Sequence, residues 1–136
     1  MNPKLVTTAR ILLVLYIIAV AVLCFGRFGG MENVPRSLLG IPMDKVVHFL
    51  MFLPFPLLCY PALGWDPPGP RKALGVVLLF FLIGCLIAAG TEIAQCFLPW
   101  REGDTKDFFA DSLALAIASL AVFILMLRKG IRSDRV

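Results

Sequence analysis

Four long apolar stretches separated by polar ones organise the chain. The first, Leu5 to Phe25, is interrupted only by Thr7, Thr8 and Arg10. Val46 to Leu63 is broken only by His48, and Ala73 to Gly90 carries no charge at all. Phe108 to Leu127 holds Asp111 near its start. A helix rises about 1.5 Å per residue, so about 20 apolar residues cross about 30 Å of hydrocarbon. All four stretches reach that length with a turn of flanking sequence. None alternates apolar and polar residues, which excludes the strands of a membrane barrel. The pattern predicts an all-α integral membrane protein. Its single domain, residues 1–136, is an antiparallel bundle of four transmembrane helices with spans at about 5–25, 46–63, 73–92 and 108–127.

Composition sharpens this picture. The 136 residues are 60% hydrophobic and 16% charged, against about 45–50% and about 25% in soluble domains. A chain this short cannot hide such an excess. A soluble enzyme domain, a disordered regulator and a nucleic-acid module are all excluded. The first stretch also resembles a signal peptide, with Lys4 and Arg10 before an apolar run and Ala19-Val20-Ala21 as a small-residue site. It is read as a retained span.

Charge placement predicts orientation, because basic residues near the spans favour the cytoplasm. Four spans put both termini on one side. That side carries eight basic residues and two acidic ones, a net +6; the other carries five basic and seven acidic, a net −2. Both termini are therefore expected in the cytoplasm. The basic C-terminus is assigned to topology and to contact with anionic lipid.

The connections add few chemical groups. Gly64 to Lys72 is a proline-rich turn with Asp66 as its one acid. In the longer loop Gly26 to Met43, Phe28, Met31, Leu38, Leu39 and Ile41 are expected to form a short amphipathic segment at the membrane surface. Pro54, Pro56 and Pro61 are expected to kink the second helix. Cys24, Cys59, Cys85 and Cys96 are scattered without a CxxC spacing and are read as small apolar fillers. Gly84 and Ala88 have the small-xxx-small spacing of close helix packing, within one chain or in a homo-oligomer.

The scarce polar groups of the spans converge on one membrane level. Asp44, Lys45 and His48 lie where the second helix enters. Glu92 and Gln95 lie where the third exits. Arg101 and Asp104 follow in the loop, and Asp107 and Asp111 lie one turn apart where the fourth helix enters. Ionisable groups in spans are costly and usually face a protein interior or a wet cavity. Simpler roles exist for several. Asp44, Asp104 or Asp107 suits a helix N-terminus, His48 suits a pairing with Glu92, and Arg101 suits a rim salt bridge with Glu102 or Asp104. Glu92 is the hardest to assign to packing, since it ends a charge-free run.

The order Asp44-Lys-Val-Val-His48-Phe, then Glu92-Ile-Ala-Gln95-Cys-Phe-Leu-Pro99-Trp-Arg101-Glu-Gly-Asp104-Thr-Lys-Asp107-Phe-Phe-Ala-Asp111, resembles the VanZ-like family. That family's pattern is roughly D-K-x-x-H-F, then E-x-x-Q-x-F-x-P-x-R-x-x-D-x-x-D-x-x-x-N with a Gly soon after. Asp111 stands where the family usually has Asn, and Ala114 where the Gly is expected. The resemblance implies a multi-pass protein of the bacterial cytoplasmic membrane with its polar site facing outward. The family is named for a member associated with resistance to the glycopeptide teicoplanin. A role in the cell envelope or in glycopeptide tolerance follows from that name.

Three classes of function are compatible with these residues. An enzyme acting on an envelope lipid or lipid-linked precursor would use His48, Glu92 and Asp107 for proton transfer. Asp44, Lys45, Gln95, Arg101, Asp104 and Asp111 would then bind the substrate. Arg101 and Lys45 would hold a phosphate or carboxylate. Asp104 and Asp107 carry the oxygens a divalent cation requires, although no residue is assigned as a metal ligand and no cofactor is identified. A non-catalytic binding or accessory protein would use the same site for a headgroup, a glycopeptide or a membrane partner. A small transporter or flippase component would need an oligomer. No nucleic-acid partner is expected.

Overall fold

The computed structural model describes residues 1–27, 37–66, 69–101 and 103–133. The expectations for Phe28, Met31, Glu102, Pro67 and Pro68 fall outside the described residues. The structure is built from α1 (Pro3–Phe25), a two-residue strand pair β1 (Ser37–Leu38) and β2 (Ile41–Pro42), α2 (Met43–Phe52), α3 (Pro54–Leu63), α4 (Pro70–Gln95) and α5 (Thr105–Ser133). With α2 and α3 counted as one span, four helical segments are long and apolar enough to cross a membrane. The chain is a multi-pass membrane protein.

Each helix runs a few residues beyond its apolar core, because polar residues close its ends. The Asn2 side chain accepts from the Lys4 N–H at 2.9 Å, and Pro3 opens α1 where a missing N–H costs nothing. Pro70 opens α4 in the same way. Asp104 caps α5 as expected, its Oδ1 accepting from the Lys106 N–H at 2.9 Å. Asp44 does not cap α2. Pro42 holds the cap position, and the Asp44 carboxylate is turned to Lys45 instead.

The prolines divide the second span. The α-helical ladder breaks at Leu53, since Pro54 and Pro56 cannot donate to the carbonyls of Leu50 and Phe52. Between those two lies the Met51 carbonyl, which accepts the Tyr16 O–H from α1 at 2.7 Å. A mid-span tyrosine thus meets its hydrogen-bonding need at a break in its neighbour. Gly64 ends α3 in the left-handed region at φ 74°. Arg10 donates to the Ala62 carbonyl at 3.0 Å in the same last turn. Lys129 of α5 lies 3.4 Å from Asp66, which accepts the Tyr60 O–H at 2.7 Å. One end of the bundle therefore carries Arg10, residues 60–66 and Lys129.

Two clusters fill the interior. Cys24, Phe52, Phe55, Ala88 and Leu115 dominate one, and Tyr60, Phe80, Val122 and Met126 the other. The small-residue spacing on α4 is used inside the chain. A Cβ on Gly84 would come within 2.5 Å of Leu115 and 3.2 Å of Phe55, and Ala88 is fully buried. Most leucines and isoleucines point outward, as lipid contact requires. All four cysteines are free. Among the described residues of the loop before α2, Ser37–Leu38 and Ile41–Pro42 form a hairpin. Leu39 and Gly40 both have positive φ at its tip, and Leu39 is 96% exposed.

Candidate functional site

The opposite end of the bundle gathers α2, the end of α4, the following loop and the start of α5. It is built in two layers. The outer layer centres on Lys45. Its Nζ donates to Asp107 Oδ1 at 2.6 Å, Asp104 Oδ2 at 2.7 Å and Asp44 Oδ2 at 2.8 Å. An ammonium has three N–H donors, and each is committed to a carboxylate of the protein. Lys45 is thus engaged internally and has no donor left for a substrate phosphate. Asp104 lies in the loop outside the spans. Its bond to Lys45, and then that to the Lys106 N–H, hold its carboxyl below the usual carboxylate range.

The inner layer centres on His48, on the same face of α2 one turn further in. Its Nδ1 bonds Asp111 Oδ1 at 3.2 Å, with Oδ2 at 3.4 Å. Asp111 is completely buried; with the proton on Nδ1 the imidazole donates and the carboxylate accepts. An asparagine Oδ1 could accept the same bond. Glu92 Oε1 lies 3.7 Å from His48 Nδ1, and Asp107 Oδ2 lies 3.8 Å from Nε2. The expected His48–Glu92 approach is present, but it is longer than a hydrogen bond. Glu92 Oε2 accepts the Asp104 N–H at 3.0 Å, whereas Oε1 is buried and without a hydrogen-bond partner among the described residues. Gly103 makes this possible. A Cβ there would come within 2.7 Å of the Glu92 carbonyl and would also strike Cys96 Sγ, so only glycine lets the loop approach α4.

Gln95 and Arg101 serve a different purpose. The last four carbonyls of any helix lack donors within it. In α1 these belong to residues 22–25, and each finds a partner. The Gly26 N–H donates to Val22 at 2.8 Å, and an Arg101 Nη to Leu23 at 2.6 Å. Gln95 Nε2 donates to Cys24 at 3.0 Å, and Trp100 Nε1 to Phe25 at 3.3 Å. A cation at a helix C-terminus also complements its dipole. Arg101 is thus not brought into the carboxylate cluster, and Gln95 faces α1. The structure brings together Asp44, Lys45, His48, Glu92, Asp104, Asp107 and Asp111, and sets Gln95 and Arg101 beside them as the lock on α1.

Trp100 and Gly103 have structural roles that sequence reasoning missed. A tryptophan at the end of a span commonly finds an acceptor for its N–H, which was a signal for the first. The second left none beyond being a glycine. Two groups have ligand atoms within 4.8 Å of one another, as a metal ion would require: His48, Glu92 and Asp107, all buried, and the more open set Asp44, Asp104 and Asp107. No family model, curated protein or solved structure matches the chain.

Proposed function

We propose that the chain is a VanZ-like protein of the bacterial cytoplasmic membrane. Its four spans form an antiparallel bundle, both termini face the cytoplasm, and the His48–Glu92–Asp107 site faces outward. There it binds and acts on the polar headgroup of an envelope lipid or lipid-linked precursor. The shared end of Arg10, Ala62 and Lys129 supports the antiparallel arrangement. The orientation rests on the basic bias of the termini.

The observation that carries the functional reading is the buried cluster of one imidazole and three carboxyls in a short span region. Such groups are expensive in hydrocarbon. Helix packing uses one oxygen each of Asp107 and Glu92, on Lys45 and on the Asp104 N–H, while caps and apolar contacts hold the rest. An imidazole that faces one carboxylate and is oriented by another is the minimal set for moving a proton at a headgroup.

The test is genetic. Expression of the chain in a glycopeptide-sensitive bacterium is expected to raise tolerance to teicoplanin, and Glu92→Gln or His48→Ala is expected to abolish the gain at equal membrane abundance. Full tolerance in both variants overturns the catalytic reading. For orientation, a cysteine placed at exposed Lys106 in a cysteine-free background is expected to react with an impermeant maleimide from outside the cell. Labelling only after lysis inverts the topology.

A further inference from the structure

We infer that His48, Glu92 and Asp107 form a binding site for one first-row divalent transition-metal ion, with Asp111 orienting the histidine. The inference rests on the preceding reading to the extent that both concern the same site, and it supplies what that site lacks. The two cations expected to meet an anionic headgroup, Lys45 and Arg101, are both committed elsewhere. The remaining groups are acceptors or neutral.

Four observations point to an ion. The three ligand residues are buried, and one atom from each lies within 4.8 Å of the others. Glu92 is 8% exposed, yet its Oε1 has no hydrogen-bond partner among the described residues. A buried charged oxygen in that state requires a proton or a cation. The distances are informative as well. Two ligands about 2.1 Å from a tetrahedral metal stand roughly 3.4 Å apart. His48 Nε2 and Asp107 Oδ2 stand 3.8 Å apart, too long for a hydrogen bond and within a few tenths of an ångström of that spacing, while Glu92 Oε1 stands 3.7 Å from the other ring nitrogen, Nδ1. Last, Asp111 lies at Nδ1 of His48, and with the proton on that nitrogen the Nε2 lone pair is free on the side of Asp107. A carboxylate bonded to the second nitrogen of a ligating histidine is a recurring support of metal sites.

The chemistry of the set narrows the ion. One imidazole with two carboxylates suits Zn²⁺, Mn²⁺ or Fe²⁺ better than Mg²⁺ or Ca²⁺, which prefer all-oxygen shells, and gives no thiolate for Cu⁺. The neighbouring group Asp44, Asp104 and Asp107 is a poorer site, because the Lys45 ammonium already bonds one oxygen of each. Asp107 can serve both layers, with Oδ1 on Lys45 and Oδ2 toward His48. Three protein ligands leave a coordination position for a water or a headgroup oxygen, the phosphate of a lipid being of the right charge.

Purified protein in detergent, stripped with a chelator, is titrated with Co²⁺ as a spectroscopic probe. One Co²⁺ per chain is expected, with ligand-field absorption that Zn²⁺ abolishes and excess Mg²⁺ does not. His48→Gln, Glu92→Gln and Asp107→Asn are each expected to remove the absorption, with circular dichroism verifying that the helices persist. Asp111→Asn is expected to keep the 1:1 stoichiometry with affinity down about 10–100-fold. Wild-type protein that binds no Co²⁺, or releases it to Mg²⁺, overturns the inference. So does a loss in Asp104→Asn as complete as in Asp107→Asn, which would move the ion to the outer group. The two readings fail separately. Metal binding without any envelope phenotype refutes only the function, and tolerance conferred without metal refutes only the ion.

Discussion

Replacing Lys45 by methionine isolates the energetics of the outer layer. The methionine keeps most of the stem volume and removes the ammonium from among Asp44, Asp104 and Asp107. The three pairs are unequal. The Asp107 side chain is 9% exposed and that of Lys45 15%, whereas Asp104 and Asp44 are 40% and 55% exposed. Exposed pairs add little. Removing one partner of a buried pair costs about 3–5 kcal/mol, because a charge is left stranded. Lys45 is not fully buried, which puts Lys45→Met near the lower end, at about 3 kcal/mol, or about two orders of magnitude in the folded-to-unfolded ratio. The assay is equilibrium unfolding in mixed micelles of rising dodecyl sulfate fraction, with chelator present, followed by helical circular dichroism. A double-mutant cycle with Asp107→Asn separates the pair from side effects of each change. Coupling of about 2 kcal/mol is expected. Coupling below about 0.5 kcal/mol would show that Lys45 and Asp107 are not a buried pair, and the two-layer description would fail with it.

Other expectations follow from single contacts. Gly84→Ala should destabilise by about 1–2 kcal/mol, since overpacking against Leu115 outweighs the gain in helix propensity. Gly75→Ala and Gly90→Ala, whose Cβ positions are open, should stabilise by up to about 1 kcal/mol in the same unfolding assay. Arg101→Leu should cost about 1–3 kcal/mol by orphaning the Leu23 carbonyl, and buried Cys24 should then react faster with maleimide. Acid should weaken the ends of the bundle. Burial raises the Asp66 carboxyl, but Tyr60 and Lys129 outweigh it and hold it below its ordinary value, and Asp104 is held low by Lys45. A carboxyl with a depressed folded value stabilises fully above its unfolded value, about 3.9, and loses that contribution as pH falls through the folded one. Melting temperature should therefore hold between pH 7 and 5 and fall below about pH 4, less steeply in Asp66→Asn combined with Asp104→Asn. Leu39→Gly should stabilise by about 1 kcal/mol by relieving a left-handed leucine at φ 52°.

The spans were legible because hydrocarbon imposes a length and a composition that few other environments demand. The break at Pro54 was legible for a similar reason, since proline removes a donor wherever it falls. Lys45, His48, Glu92, Asp107 and Asp111 could be grouped from helix ends alone, because polar residues at one level of a bundle have few places to go. Their pairing could not. Whether His48 faces Glu92 or Asp111 depends on rotations of α2 against α5 that no periodicity encodes. Gln95 and Arg101 show the limit most clearly. Their polarity marked them, but their acceptors are backbone carbonyls 71 and 78 residues away, and a carbonyl has no signature in the sequence. The hairpin at Leu39-Gly40 was hidden too, because leucine is not a residue that announces a turn with positive φ.

The closure of α1 by distant side chains has a consequence for biosynthesis. A nascent chain that ends before residue 95 already holds the whole first span, yet the carbonyls of Leu23, Cys24 and Phe25 still await the donors that Gln95, Trp100 and Arg101 will bring. Until then those groups must stay with water or with the insertion machinery, because lipid cannot satisfy them. A helix that emerges before α2 to α5 is thus among the last to be finished, and its final turn settles together with the loop that completes the site.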